Sequence, residues 1–200
     1  MSSQLSNRPR HKDDKLSERV TVIALRRAAA IALVLVLSAA AQAQIINRVD
    51  VPAGEATPTG ASFSILFPVP YSDLEMRAAD PDAPTIVVRM VTGITADGVR
   101  LSASETPFLP GVAPQPVEDF MNGLKEKSGA TLSDVNHQHS ANAETLAFTL
   151  IDAIGGGNYF DVVRAHSVEY VMLIQFHRAQ RDKATAMKDA FFGSFKTLQQ

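Results

Sequence analysis

Thr145-Leu146-Ala147-Phe148-Thr149-Leu150-Ile151, then Tyr159-Phe160-Asp161-Val162-Val163-Arg164-Ala165, then Glu169-Tyr170-Val171-Met172-Leu173-Ile174-Gln175-Phe176, decide the fold. Each run is seven or eight residues long and dominated by apolar, β-branched and aromatic side chains, which favour a pleated surface. Gly155-Gly156-Gly157 separates the first two, and a turn near His166-Ser167 separates the last two. Three strands on short turns make an antiparallel meander.

Two segments upstream extend the sheet. Thr85-Ile86-Val87-Val88-Arg89-Met90-Val91-Thr92 leads through Thr95-Ala96-Asp97-Gly98 into Val99-Arg100-Leu101-Ser102-Ala103-Ser104. Asp-Gly supplies the positive φ that a tight hairpin requires, so these strands are expected to pair antiparallel. Phe63, Ile65 and Phe67 alternate with Ser62, Ser64 and Leu66 and stop at Pro68-Val69-Pro70, the pattern of a strand with one buried face.

Two helices are expected. After a connector stiffened by Pro107, Pro110, Pro114 and Pro116, a helix runs from Pro116 to about Lys127. Glu118 and Asp119 suit its positive end, Lys125 and Lys127 its negative end, and Val117, Phe120, Met121 and Leu124 share one face. A second runs from Arg181 to about Phe192, with Ala184, Met187, Lys188 and Phe191 along one side. Gln44 to Gly60 holds Pro52, Gly54, Pro58 and Gly60 with few large apolar residues and reads as an irregular lead-in. The expected class is α+β: one domain over residues 61–200, a central antiparallel β-sheet flanked by helices.

Residues 1–43 read as an amino-terminal extension and export signal. Arg26-Arg27 precedes Ala28-Ala29-Ala30-Ile31-Ala32-Leu33-Val34-Leu35-Val36-Leu37, and Ala41 and Ala43 form a small-residue A-x-A site. The apolar run is shorter than the roughly 20 residues of a spanning helix. Cleavage between Ala43 and Gln44 would release the mature chain into the periplasm or outside the cell. The absence of cysteine excludes an amino-terminal lipid anchor on that residue. Residues 1–25 are long and of mixed charge for such a signal; either this region is extended, or the start lies upstream of the true one.

Seven of the 19 Lys and Arg and three of the 21 Asp and Glu precede Gln44, leaving 12 basic and 18 acidic residues and a net charge of −6. Nucleic acid and anionic lipid both require a positive footprint, so neither is an expected partner. Without cysteine there is no disulfide framework, and the apolar core must hold the fold alone.

Several phrases are similar to those of the PsbP-like family, named for an extrinsic subunit of photosystem II. They are Phe63-Ser64-Ile65-Leu66-Phe67-Pro68, Asn158-Tyr159-Phe160 with Glu169-Tyr170-Val171, and Phe191-Phe192-Gly193-Ser194-Phe195, within a resemblance spanning about Ala61 to Leu198. The resemblance implies an α/β/α sandwich that acts by binding other proteins or assisting assembly. It carries no shared catalytic residues.

The chemistry-bearing motifs are few. His137-Gln138-His139 places two imidazoles on one side of an extended segment, within reach of one metal ion. Asn136, Ser140, Ala141, Asn142 and Ala143 around it read as a solvated turn, and zinc needs three or four protein ligands. Neither a metal site nor a cofactor is therefore expected. Gly155-Gly156-Gly157 lacks the lysine and following helix of a phosphate loop and reads as a hairpin turn. There is no G-x-S-x-G nucleophile elbow. Glu118-Asp119 and Asp80-Asp82 read as a helix start and a solvated loop, Tyr159 and Tyr170 as a cross-strand pair, and Arg178, Arg181 and Lys183 as a solvated face. Tyr71, beside Pro68-Val69-Pro70, reads as a loop aromatic that either packs or meets a partner. The expected function is an exported, non-enzymatic domain binding a protein partner or small ligand. The alternatives are a metal-binding protein using His137 and His139, and a hydrolase with a dispersed site.

Overall fold

The computed structural model describes residues 43–78 and 86–198. The export signal and the Asp80-Asp82 pair lie outside those residues. Residues from Gln42 onward form one compact unit. Among the described residues no helix is long and apolar enough to cross a membrane.

The three deciding runs are strands β8 (Ala143–Ile151), β9 (Gly157–Ala165) and β10 (Val168–Phe176). They pair antiparallel in sequence order, with β7 (Thr131–His139) outside β8. The upstream hairpin is β5 (Val87–Ile94) and β6 (Arg100–Pro107), with Gly98 at φ 87° in its turn. Strand β4 (Tyr71–Ala78) pairs with β5, and β1 (Ala43–Val51) pairs with β4. Antiparallel pairing of β6 with β10 joins the halves into an eight-stranded sheet of order β1-β4-β5-β6-β10-β9-β8-β7. Strands β2 (Gly54–Ala56), β3 (Phe63–Phe67) and β11 (Lys196–Thr197) form a second, three-stranded sheet.

The helices form where expected, α1 at Val117–Ser128 and α2 at Arg181–Gly193. Gly129 closes α1 in the left-handed conformation at φ 64°, its N–H bonded to the Lys125 carbonyl. The helix-flanked α/β/α sandwich does not form, because the described residues are mostly β. Helices of 12 and 13 residues are about 20 Å long and about 10 Å wide. Eight strands at about 4.8 Å spacing span roughly 34 Å between the outer two, so one such helix on each face covers only part of the sheet. The lead-in is not irregular either. Arg48, Asp50 and the backbone of β1 extend the sheet edge, and residues 44–50 are exposed on both faces, so no buried face imposes an apolar pattern there.

One face of the sheet carries Tyr170, Met172, Ile174 and Phe176 of β10 with Leu101, Ala103, Val91 and Tyr159. Phe63, Ile65 and Phe67 of β3 and Phe191 of α2 complete this core; all three β3 residues are fully buried. Phe67 meets Phe191 edge-on at 5.4 Å between ring centroids and Tyr71 at 5.1 Å, which gives Tyr71 a packing role. The opposite face carries Phe148 and Phe160, stacked at 4.6 Å, and α1 lays Phe120 edge-on against both. Tyr159 and Tyr170 share a face but do not pair; Tyr159 stands opposite Ile174, and Tyr170 opposite Val163.

A buried carboxylate ties the small sheet to the large one. Glu105 of β6 is 4% exposed and lies directly opposite Arg89 of β5, whose Nη1 is 3.1 Å from its Oε1. The Ser62 backbone N–H and hydroxyl both donate to Glu105 Oε2, at 2.7 and 2.8 Å. The Ser62 hydroxyl also lies 2.6 Å from the Tyr170 hydroxyl, and burial pushes that phenol above its ordinary pKa. Removing one partner of a buried pair strands the other. Glu105→Ala should therefore cost about 3 kcal/mol of unfolding free energy in urea, and Glu105→Gln less. An unchanged midpoint for Glu105→Ala would show that this network holds nothing together.

Asp161 of β9 gives a pH signature. Burial raises its carboxyl above the ordinary 3.8, partly opposed by Lys188 of α2. The folded chain thus holds that proton more tightly than the unfolded one. The stability it contributes is full below 3.8 and is lost as pH rises through the folded value. Asp161→Asn should raise the unfolding temperature at pH 7 by roughly 3 °C, with the gain disappearing near pH 3. Calorimetry at both pH values checks this, and a gain of equal size at pH 3 would contradict it.

Candidate functional site

His137 and His139 lie on an edge strand rather than in a turn. Strand β7, at the edge of the sheet, is exposed along nearly its whole length, and its polar composition follows from that position. A bulge between Ser133 and Asn136, with Asp134 at φ 53°, shifts its register on β8. Beyond the bulge His137 stands opposite Leu146 and His139 opposite Glu144. The turn is held by the Ser140 N–H donating to the Ala143 carbonyl and the Ala143 N–H donating to Ser140 Oγ.

This register brings a third ligand-type side chain to the pair. Glu144 Oε1 is 3.1 Å from His137 Nε2 and 3.7 Å from His139 Nδ1. One ligand atom from each residue falls within 4.8 Å of the other two. A fourth group arrives from the first turn of α1, where Glu118 Oε1 lies 3.0 Å from His137 Nδ1. The side chains of His137 and Glu144 are 32% and 21% exposed, whereas His139 is 74% exposed. The cluster therefore has one open side.

Charge alternates along the row of residues behind it. Glu169, Arg164, Glu144 and His139 are cross-strand neighbours on β10, β9, β8 and β7. Arg164 bonds Glu169 Oε2 through Nε at 2.8 Å and Nη2 at 2.6 Å. Its Nη1 donates to the Gln115 carbonyl, just before α1, and lies 3.7 Å from Glu144 Oε2. The guanidinium also sits 5.7 Å from the centre of the Phe108 ring. Arg164 thus holds the outer oxygen of Glu144 and the start of α1 at once, leaving Oε1 turned to the histidines.

Two imidazole nitrogens and one carboxylate oxygen make a borderline donor set. Such sets suit zinc, copper(II) or nickel(II), whereas magnesium and calcium take oxygen ligands. Zinc bonds of about 2.0–2.2 Å put neighbouring ligand atoms a little over 3 Å apart, close to the His137–Glu144 separation. The pairing of the two histidines is legible from their spacing. The short Ser140-Ala141-Asn142 stretch between His139 and Glu144 signals a hairpin that sets those two residues opposite, whereas nothing local marks Glu118 as a partner of His137.

The other candidate motifs remain apart from this cluster. Gly155 and Gly156 lie in the β8–β9 turn and Gly157 opens β9, where an added Cβ would strike the Leu150 carbonyl oxygen. Arg178, Arg181 and Lys183 lie on an exposed face, with Lys183 paired to Asp97. No family model, curated protein or solved structure matches the chain. The PsbP-like resemblance therefore stands on its sequence phrases alone and supplies no site residue.

Lysine cannot fork between Glu169 and the Gln115 carbonyl as the guanidinium does. Arg164→Lys should therefore speed amide hydrogen exchange several-fold at Phe120 and Met121 while leaving exchange in β10 unchanged. Equal exchange at those α1 amides in both proteins would remove Arg164 as the anchor of the helix start.

Proposed function

We propose that the mature domain is an exported binding protein for a divalent transition-metal ion, held at the β7–β8 edge. The ligands are His137 through Nε2, His139 through Nδ1 and Glu144 through Oε1. The observation that carries this reading is the convergence of one ligand atom from each of these three residues within 4.8 Å of the others, on one side of a hairpin. Arg26-Arg27, the apolar run to Leu37 and the Ala41-x-Ala43 site support export. The open side beside His139 leaves room for water or for a ligand from whatever delivers or receives the ion. A three-ligand arrangement of this kind suits an exchangeable ion better than a closed structural zinc centre.

Titration of the purified protein with zinc(II) and copper(II), using magnesium and calcium as controls, tests the assignment. The transition metals should bind at one site per chain, and the alkaline-earth ions should not compete at millimolar concentration. His137→Ala, His139→Ala and Glu144→Gln should each weaken binding at least tenfold. Binding unchanged in all three would refute the site. Sequencing the amino terminus of the exported product should find Gln44 first, and an unprocessed chain retained in the cytosol would refute the address.

A further inference from the structure

We infer that Glu118 is a positioning residue for this metal site, acting through His137 rather than as a ligand; the inference rests on the metal-binding reading. An imidazole has two nitrogens, and one metal ion takes one of them. At a metal-bound histidine the other nitrogen characteristically donates its proton to a carboxylate or carbonyl, which fixes ring orientation and tautomer and raises the basicity of the ligating nitrogen.

The structure supplies that carboxylate. Glu118 Oε1 lies 3.0 Å from His137 Nδ1, on the side of the ring opposite Glu144 and His139. With a metal ion bound and the Nδ1 proton donated to Glu118, the Nε2 lone pair would face the ion between it and Glu144 Oε1, two atoms that lie 3.1 Å apart. His139 is unlike this. Its side chain is 74% exposed and its one carboxylate contact among the described residues is with Glu144, so His137 is the oriented ligand and His139 the more exposed one.

Glu118 is itself well placed for the task. It occupies the first turn of α1, where the free N–H groups and the helix dipole favour a carboxylate. Phe120 anchors the same turn against Phe148 and Phe160, and Arg164 holds the Gln115 carbonyl just ahead of it. The geometry of the site thus depends on a helix that contributes no metal ligand.

The full-length protein and three variants test this. Glu118→Ala should weaken zinc binding 10- to 100-fold, the range expected for losing the partner of a metal-bound histidine. Glu118→Gln, whose amide oxygen still accepts a hydrogen bond, should recover most of that loss. Asp119→Ala removes a carboxylate from the same helical turn and should bind zinc as the unaltered protein does. Nitrogen-15 NMR of the zinc-loaded protein should show the His137 proton on Nδ1. Zinc bound through Nδ1, or a Glu118→Ala affinity equal to that of the unaltered chain, would overturn the inference while leaving the metal site intact. Equal losses in Glu118→Ala and Asp119→Ala would also overturn it, since the effect would then belong to helix stability. No zinc or copper binding by the unaltered protein would fell the metal-binding reading and this inference with it.

Discussion

The pairing of β6 with β10 is the seam on which the rest of the molecule depends. On one side lies the β4-β5-β6 meander with β1 added to its edge, and on the other β7 to β10. The seam joins strands far apart in the chain, and its loop-closure entropy must be recovered from burial. Strand β10 meets that demand by being apolar on both faces. Tyr170, Met172, Ile174 and Phe176 point one way, Val171 and Leu173 the other, and all six are buried. A central strand with a polar stripe would leave one face of the seam without a core.

The seam also dictates where α1 must lie. The chain leaves β6 in the middle of the sheet and must reach β7 at its far edge, crossing β10, β9 and β8. The proline-containing connector and α1 span that distance, and Phe120 fastens the crossing to Phe148 and Phe160. Because the helix leads directly into β7, its first turn passes beside the β7–β8 hairpin. Glu118 therefore meets His137 as a consequence of topology, although eighteen residues separate them in the chain.

What could be recognised in the sequence follows from this layout. Strands β8, β9 and β10, β3 and the β5–β6 hairpin carry apolar or alternating patterns because they border a core on at least one face. Both helices show their apolar stripes and end charges. Edge position hid β1 and β7, whose side chains gain little from burial and so carry no periodic signal. Strand β4 is masked differently: Asp73, Glu75 and Arg77 interrupt Tyr71, Leu74 and Met76, and the shift of face between Tyr71 and Leu74 breaks the alternation. Helix capping and apolar runs are local properties, but the number of strands sharing one sheet is not. An expectation of helices flanking the sheet therefore failed although both helices were correctly placed.

The site follows the same division between local and long-range information. Two histidines at spacing two share a side of any extended segment, and that much is visible in three residues. The register of β7 on β8 decides which acidic residue faces them, and the bulge before Asn136 changes that register. A regular ladder extended from Thr131 opposite Ile151 would set His137 opposite Thr145 and aim both imidazoles at the other face of the sheet. The single extra residue around Asp134 instead turns them toward α1, Glu144 and the Arg164 row. Asp134 at φ 53° is thus a structural requirement of the cluster, because it selects the face on which the histidines meet carboxylates.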